Sequence, residues 1–212
     1  MKINFSTPNQ KIIFLVIFLC SALITLLFVY HLRHQTTPTT LANDAGIIFP
    51  VARDIKPFKL VEFQNKLLTE QDFHHHFTLL FFGFSHCSTV CPATLDMLKS
   101  AYVKLHPMYP NLQVVLVSLD PERDTPSLLS YYTRSFHPDF IAATGHIQEI
   151  RKLQSQLGIF SIQDRSNASY QIQHTSSILL INPQGKWVGL FKYGMNPKQF
   201  SQAFKESMEI LG

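Results

Sequence analysis

The sequence predicts an α/β fold, a mixed central sheet flanked by helices, carried behind one N-terminal transmembrane helix. Three observations predict it. Ile12–Tyr30 is 19 residues without a charge, with Ser21 and Thr25 as its only polar side chains, which is long enough to cross a bilayer as a helix. Residues 77–84 and 112–119 are continuous apolar runs, the pattern of strands buried on both faces. Segments with helical spacing alternate with those runs and a hairpin closes the order, so a parallel sheet gains an antiparallel end.

The chain has 212 residues, 18 Lys plus Arg against 14 Asp plus Glu, and a formal charge of +4. Lys2 and Lys11 lie before the apolar span, where there are no acids, so the rest of the chain is nearly balanced. Such a body is not a polyanion binder, and no nucleic-acid partner is expected. An apolar share of 46% with 18 Phe excludes disordered and fibrous classes. Three cysteines are too few for a disulfide scaffold.

A cleaved signal peptide has a shorter apolar stretch and small residues at its end. Here the exit reads Val29-Tyr30-His31-Leu32-Arg33. Cys20 follows the bulky Leu19, which does not suit a lipoprotein site, so it reads as one more apolar residue of the helix. Lys2, Lys11 and the amino group precede the span and Arg33 follows it, which puts residues 1–11 on the cytoplasmic side. No Arg-rich presequence is present, so a bacterial inner membrane is expected rather than a mitochondrial one. The protein is then single-pass, anchored through residues 12–30, with its C-terminal domain facing the periplasm. Residues 31–46 read as a polar tether and residues 47–212 as the folded domain.

Within that domain, residues 58–63 read as an edge strand or hairpin arm and 77–84 as the first buried strand. Residues 92–106 place Leu95, Leu98, Ala101, Tyr102 and Leu105 on one helical face, with Pro92 in the first turn. Residues 112–119 are the second buried strand. Residues 125–136 are a helix opened by Thr125-Pro126, residues 140–143 a short strand, and residues 146–157 an amphipathic helix closed by Gly158. Residues 175–181 and 186–191 form a hairpin around Asn182-Pro183-Gln184-Gly185, and residues 197–210 a final helix. Parallel strands first and an antiparallel hairpin last is the order of a thioredoxin-like fold.

Cys87 and Cys91 lie in Gly83-Phe84-Ser85-His86-Cys87-Ser88-Thr89-Val90-Cys91-Pro92, between a buried strand and a helix start. Such turns are where α/β folds place their chemistry, and the backbone N–H groups there favour a thiolate. Two inert core cysteines would not sit among polar neighbours in a turn. A structural disulfide across so short a loop stabilises little. That leaves a redox-active pair, able to form a disulfide, or two soft ligands for Cu(I) or Zn(II).

A metal site needs a third ligand, and with no other cysteine outside the span histidine is the natural candidate. His86 adjoins Cys87, but neighbouring side chains on a short arch often diverge. His74-His75-His76 forms a tract of the kind that binds metal, yet it has no companion ligand nearby in sequence and reads as a solvated loop. His106, His137 and His146 lie at element ends. His174, in Gln173-His174-Thr175, stands at the mouth of the last hairpin, where a thioredoxin-like fold packs against the cysteine turn. Asp120 to Asp124 reads as a turn followed by a helix cap, with a carboxylate near the site as the lesser alternative.

Three signatures occur in order: Phe81-Phe82-Gly83-Phe84-Ser85-His86-Cys87 through Cys91-Pro92; Ser118-Leu119-Asp120-Pro121-Glu122-Arg123-Asp124-Thr125-Pro126; and His174 before Thr175-Ser176-Ser177. Over residues 48–212 the chain resembles the Sco/SenC family of copper-binding assembly factors. The resemblance implies a thioredoxin-like fold that binds copper, as Cu(I) or Cu(II), through Cys87, Cys91 and His174. It implies a task, metallating the binuclear copper centre of cytochrome c oxidase by delivering copper or by reducing the target cysteines. It also implies partners: the copper-bearing subunit of the oxidase and the proteins that donate the copper.

Ser88-Thr89 stands where many relatives carry Pro-Asp, and Gln173 where they often carry Asp, so negative charge is lost near the sulfurs while no ligand is lost. The main role is then that of a metallochaperone, with thiol–disulfide oxidoreductase activity or a redox or copper sensor as the alternatives. The C-x-x-x-C spacing, one residue longer than that of thioredoxins, and the absence of a proline beside His174-Thr175 favour metal. A peroxiredoxin is disfavoured, because Phe84 stands where that family has a proline.

Overall fold

The computed structural model describes residues 8–33, 37–164 and 170–212. The chain divides into two units, Met1–Thr37 and Pro38–Gly212. The first holds α1 (Pro8–Arg33), in which Ile12–Tyr30 has a mean hydropathy of 3.1 and no buried side chain. Ser21 Oγ donates to the Phe18 carbonyl and Thr25 Oγ1 to the Ser21 carbonyl, each at 2.8 Å. Both hydroxyls are thus satisfied inside the helix. Residues 1–7 of the expected cytoplasmic segment and 34–36 of the expected tether lie outside the described residues.

The tether ends sooner than residue 46. β1 (Thr39–Thr40) pairs antiparallel with β2 (Gly46–Arg53), and Leu41 between them is buried. The Thr- and Pro-rich composition read as linker, but one buried leucine and a pair of strands make residues 38–46 part of the domain. β2 itself escapes a periodicity reading because Pro50 interrupts it. The sheet accommodates that proline opposite a register shift: Trp187 pairs with Arg53 but Gly189 with Ile48, a bulge of the kind that tolerates proline in a strand. A Cβ on Gly189 would sit 2.5 Å from the Ile47 carbonyl oxygen, so glycine lets these two strands approach.

β3 (Leu60–Val61), inside the edge strand or hairpin arm expected at residues 58–63, pairs with β4 (Leu67–Leu68) in a small hairpin tied to the body by the Val61–Thr144 bridge. β5 (Phe77–Gly83) leads through a turn to α2 (Val90–Leu105) and then β6 (Leu112–Ser118). α3 (Pro126–Arg134) is capped by Thr125, whose Oγ1 accepts the Leu128 N–H at 3.2 Å. β7 (Ile141–Ala143), α4 (Ile147–Gln156), β8 (Ser161–Asp164), β9 (Gln171–His174), β10 (Ile178–Ile181), β11 (Trp187–Phe191) and α5 (Pro197–Leu211) complete the chain.

The main sheet runs β1-β2-β11-β10-β5-β6-β7. β5, β6 and β7 are parallel; β10 joins β5 antiparallel, as do β11 with β10 and β2 with β11. Every side chain of β10 is buried, and the β5 and β6 runs are buried almost throughout. The mixed sheet flanked by helices is the predicted fold, with α2 and α5 packed on each other and α3 on β7. Phe191 packs on Phe200 at 4.9 Å between ring centres, and Tyr109 meets Phe204 edge-to-face at 5.1 Å, which anchors α5 over the sheet.

Three local expectations change. α2 begins at Val90 rather than Pro92, so Cys91 lies inside its first turn; Pro92 is tolerated there because first-turn N–H groups have no helical partner. β10 begins at Ile178 rather than Thr175, because Thr175 pairs with Phe160: its N–H donates to the Phe160 carbonyl at 3.0 Å and its Oγ1 accepts the Phe160 N–H at 3.2 Å. Finally, β8 and β9 form an unexpected antiparallel hairpin outside the main sheet. Its strands carry one apolar residue each, Ile162 and Ile172, too few for a pattern to show.

Candidate functional site

β5 ends at Gly83, and Phe84 to Cys87 form a turn closed by the Cys87 N–H donating to the Phe84 carbonyl at 3.3 Å. Cys87 stands half-buried on that turn, whereas Cys91 is fully buried in the first turn of α2. A Cβ on Gly83 would lie 3.0 Å from Cys91 Sγ. The last residue of β5 is glycine where the sulfur needs the room.

Both thiols are free. The Cys91 N–H donates to Cys87 Sγ at 3.3 Å. The hydrogen bond from the Cys91 thiol, helped by the backbone N–H groups of Cys91, Thr89 and Val90, lowers the Cys87 thiol from 9.0 to about 5, against the opposing effect of burial. The same bond, followed by burial, pushes Cys91 far up. Cys87 therefore carries the thiolate and Cys91 the proton. Because the Cys87 value is lowered, its nucleophilicity is present above that pH and lost below it. Alkylation of the reduced chain with iodoacetamide at neutral pH is expected to strike Cys87 and spare Cys91, with the rate falling as the pH drops through about 5. Peptide mapping across a pH series checks this; first labelling at Cys91, or a midpoint near 9.0, contradicts it.

The hairpin missed in sequence carries His174 to this place, paired with Ser161 across the two strands. The His174 ring meets Phe81 and Phe84, each at 6.2 Å between centres. Its Nδ1 lies 2.9 Å from the Thr175 carbonyl oxygen. A carbonyl only accepts, so the proton is on Nδ1 and the Nε2 lone pair is free. That Nε2 is 3.9 Å from Cys91 Sγ. Metal bonds of about 2.3 Å to sulfur and 2.0 Å to nitrogen, meeting at a trigonal angle, set two donors about 3.7 Å apart. Cys91 and His174 thus stand at the separation of two ligands of one soft ion, while Cys87 faces the Cys91 N–H. Among the described residues, no group of three or more His, Cys, Asp or Glu side chains is already closed into a metal site.

His74 to His76, His106, His137 and His146 stand elsewhere. His74 to His76 precede β5, whereas the cysteine turn follows it, and seven strand residues put about 20 Å between the two ends. His74 bridges to Gln184 and the His75 N–H donates to the Pro183 carbonyl at 2.8 Å, so the tract belongs to the far end of the sheet. His106 and His137 each pack on Tyr102 at 4.8 Å. His146 caps α4 by its backbone, without a side-chain bond.

The acidic turn does more than cap a helix. Asp124 is fully buried. Its carboxylate accepts the Ser85 N–H at 3.2 Å, the Ser85 hydroxyl, and the Ser118 hydroxyl at 2.5 Å. It therefore clamps the cysteine turn to the end of β6. Asp120, also buried, accepts the Arg123 guanidinium and, at 2.6 Å, the Tyr170 hydroxyl. Arg123 stacks 3.7 Å over the Tyr170 ring and 6.0 Å from Phe84. One turn thus braces both halves of the site: Asp124 holds the cysteine loop, and Asp120 with Arg123 holds the residue that leads into β9. Sequence reading placed the turn and the Thr125 cap but not these contacts, whose partners are far apart in the chain.

The SCO1/SenC family model matches residues 51–209. An SCO2-like protein of Rickettsia prowazekii is 28% identical over 194 residues, 90% of this chain and 95% of the relative. Among solved structures, Arabidopsis thaliana ScoI with copper bound is 26% identical, with a TM-score of 0.69 over 73% of this chain and 97% of that one. Bradyrhizobium japonicum ScoI with copper bound is 28% identical, with a TM-score of 0.64 over 71% and 97%. The fold is thioredoxin-like, as in those proteins, and the chain belongs to the SCO1/SenC family.

Proposed function

We propose that the protein is a membrane-tethered copper carrier in the assembly of cytochrome c oxidase, with Cys87, Cys91 and His174 as the ligands of its cargo. Its homologues are Sco proteins of oxidase copper assembly, and two of its structural neighbours hold copper. The observation that carries the reading is the 3.9 Å approach of His174 Nε2 to Cys91 Sγ, with the imidazole proton held away on Nδ1. Two thiolates and an imidazole suit Cu(I) and also accept Cu(II). The backbone N–H groups at the start of α2 offset the charge of a dithiolate. The half-exposed Cys87 leaves the site open to a partner, as ligand exchange requires.

Ile12–Tyr30 is the anchor in this reading, residues 1–11 lie on the cytoplasmic side, and the domain from Pro38 onward works in the periplasm of a bacterium. The partners are a copper donor and the copper-bearing subunit of the oxidase. The thiol asymmetry favours a second reading, reduction of that subunit's cysteines. The Cys87 thiolate attacks the target disulfide, a mixed disulfide forms, and Cys91 gives up its proton and resolves it. The dithiol is oxidised to a Cys87–Cys91 disulfide and the target is reduced.

One experiment separates the two. The reduced full chain in detergent is titrated with Cu(I) against a chelator; the copper-loaded chain is then mixed with the metal-free, pre-reduced copper domain of the oxidase, and the metal-free reduced chain with the oxidised domain. One tight equivalent that moves to a pre-reduced domain supports delivery. Absence of tight copper, with reduction of the oxidised domain, supports thiol exchange alone.

A further inference from the structure

The copper reading uses His174 and leaves His86 without a role. His86 sits at the tip of the Phe84–Cys87 turn, its side chain 47% exposed over a fully buried Asp124. Behind it runs a directed chain of hydrogen bonds. The Ser85 hydroxyl donates to Asp124 Oδ1. A hydroxyl has one proton, so at 3.0 Å the Ser85 oxygen accepts from His86 Nδ1–H. This places the His86 proton on Nδ1 and leaves Nε2 as a free lone pair. His174 reaches the same tautomer through the Thr175 carbonyl.

Imidazoles that ligate metals are held in this way, through the other ring nitrogen, by a carbonyl or a carboxylate. His174 has the carbonyl. His86 has the carboxylate, through Ser85, with Asp124 Oδ1 3.9 Å from Nδ1. Two imidazoles are therefore oriented near the cysteine turn: His174 beside Cys91 in space, and His86 next to Cys87 in the chain. The two imidazoles differ in access: His86 is exposed, next to the half-buried Cys87, whereas His174 is half-buried, next to the buried Cys91.

We propose that His86 Nε2 and Cys87 Sγ form a two-ligand receiving station for Cu(I) at the lip of the site, which passes the ion inward to Cys91 and His174. This rests on the copper reading and adds the route of loading. Bonds from Cys87 Sγ and His86 Nε2 to Cu(I) form as the donor's ligands leave. The Cys91 thiol then loses its proton to solvent as its sulfur binds. His86 Nε2 departs as His174 Nε2 takes its place. No electron is transferred, and release follows the same steps in reverse.

The test is stopped-flow loading of the reduced full chain in detergent, with Cu(I) supplied as its bicinchoninate complex, beside equilibrium competition with the same chelator. His86→Ala is expected to load roughly tenfold more slowly while its equilibrium affinity stays within about threefold, since arrival and release slow together. His86→Met, which restores a soft donor at the lip, is expected to recover the rate. An unchanged loading rate in His86→Ala overturns the proposal. So does an affinity that falls as far as the rate, which marks a resident ligand. A wild-type chain without tight Cu(I) defeats the copper reading itself, and the two failures are read from different samples.

Discussion

Full chain carrying His174→Ala is expected to lose Cu(I) affinity by about a hundredfold or more, roughly 2.7 kcal/mol, while keeping its fold and its ability to form the Cys87–Cys91 disulfide. The imidazole is the nitrogen donor 3.9 Å from Cys91 Sγ. Its removal leaves two sulfurs and an opening between the rings of Phe81 and Phe84. Cys87→Ser and Cys91→Ser are expected to lose the tight site altogether, because a hydroxyl is a hard, protonated donor that Cu(I) does not favour. Competition against a chelator measures all three, and far-UV circular dichroism reports the fold. If His174→Ala binds copper as the wild type does and gives the same Cu(II) spectrum, the histidine is not a ligand and the cysteines stand as a plain redox pair.

Asp124→Ala is expected to cost about 3 kcal/mol of stability and to weaken copper binding without touching a ligand. The carboxylate accepts the Ser85 N–H, the Ser85 hydroxyl and the Ser118 hydroxyl in a closed pocket. Alanine strands all three donors, and hydrogen bonds to a charged group are worth more than neutral ones. Asp124→Asn keeps the shape but turns one acceptor into a donor that faces other donors, so it recovers only part of the loss. Urea denaturation of the reduced full chain measures the first effect, and chelator competition the second. Stability within about 0.5 kcal/mol of wild type would mean that the turn holds itself, without the clamp.

The two variants differ in how far their residues could be read in advance. The placement of His174 beside Cys91 was legible because the family resemblance put a histidine before Thr175 and because few other donors remained. Asp124 was visible mainly as part of a turn before a cap, with a carboxylate near the site as the lesser alternative. Thr125 does cap α3, but the main work of Asp124 is done on Ser85, 39 positions away, and no local pattern reports a bond of that range. The hairpin that presents His174 was likewise missed, since its two strands bury only Ile172 and pair outside the main sheet. The same holds for β2, whose alternation is broken by Pro50, and for Leu41, a single apolar residue in a polar run.

Local chemistry was enough for the rest. Short continuous apolar runs bounded by turn signals fit strands buried on both faces, so β5, β6 and β10 were legible, and with them the turn after β5 where two cysteines meet a helix start. An uncharged run of 19 residues is long enough to cross a bilayer in any tertiary context. What only the tertiary structure decided is orientation. It set which sulfur is fully buried and which half-buried, which ring nitrogen of His174 and of His86 is free, and which carboxylate holds the loop. Each depends on contacts between residues brought together by packing. Composition and periodicity report burial along one element, whereas a donor's direction is set by the partners that the other elements deliver.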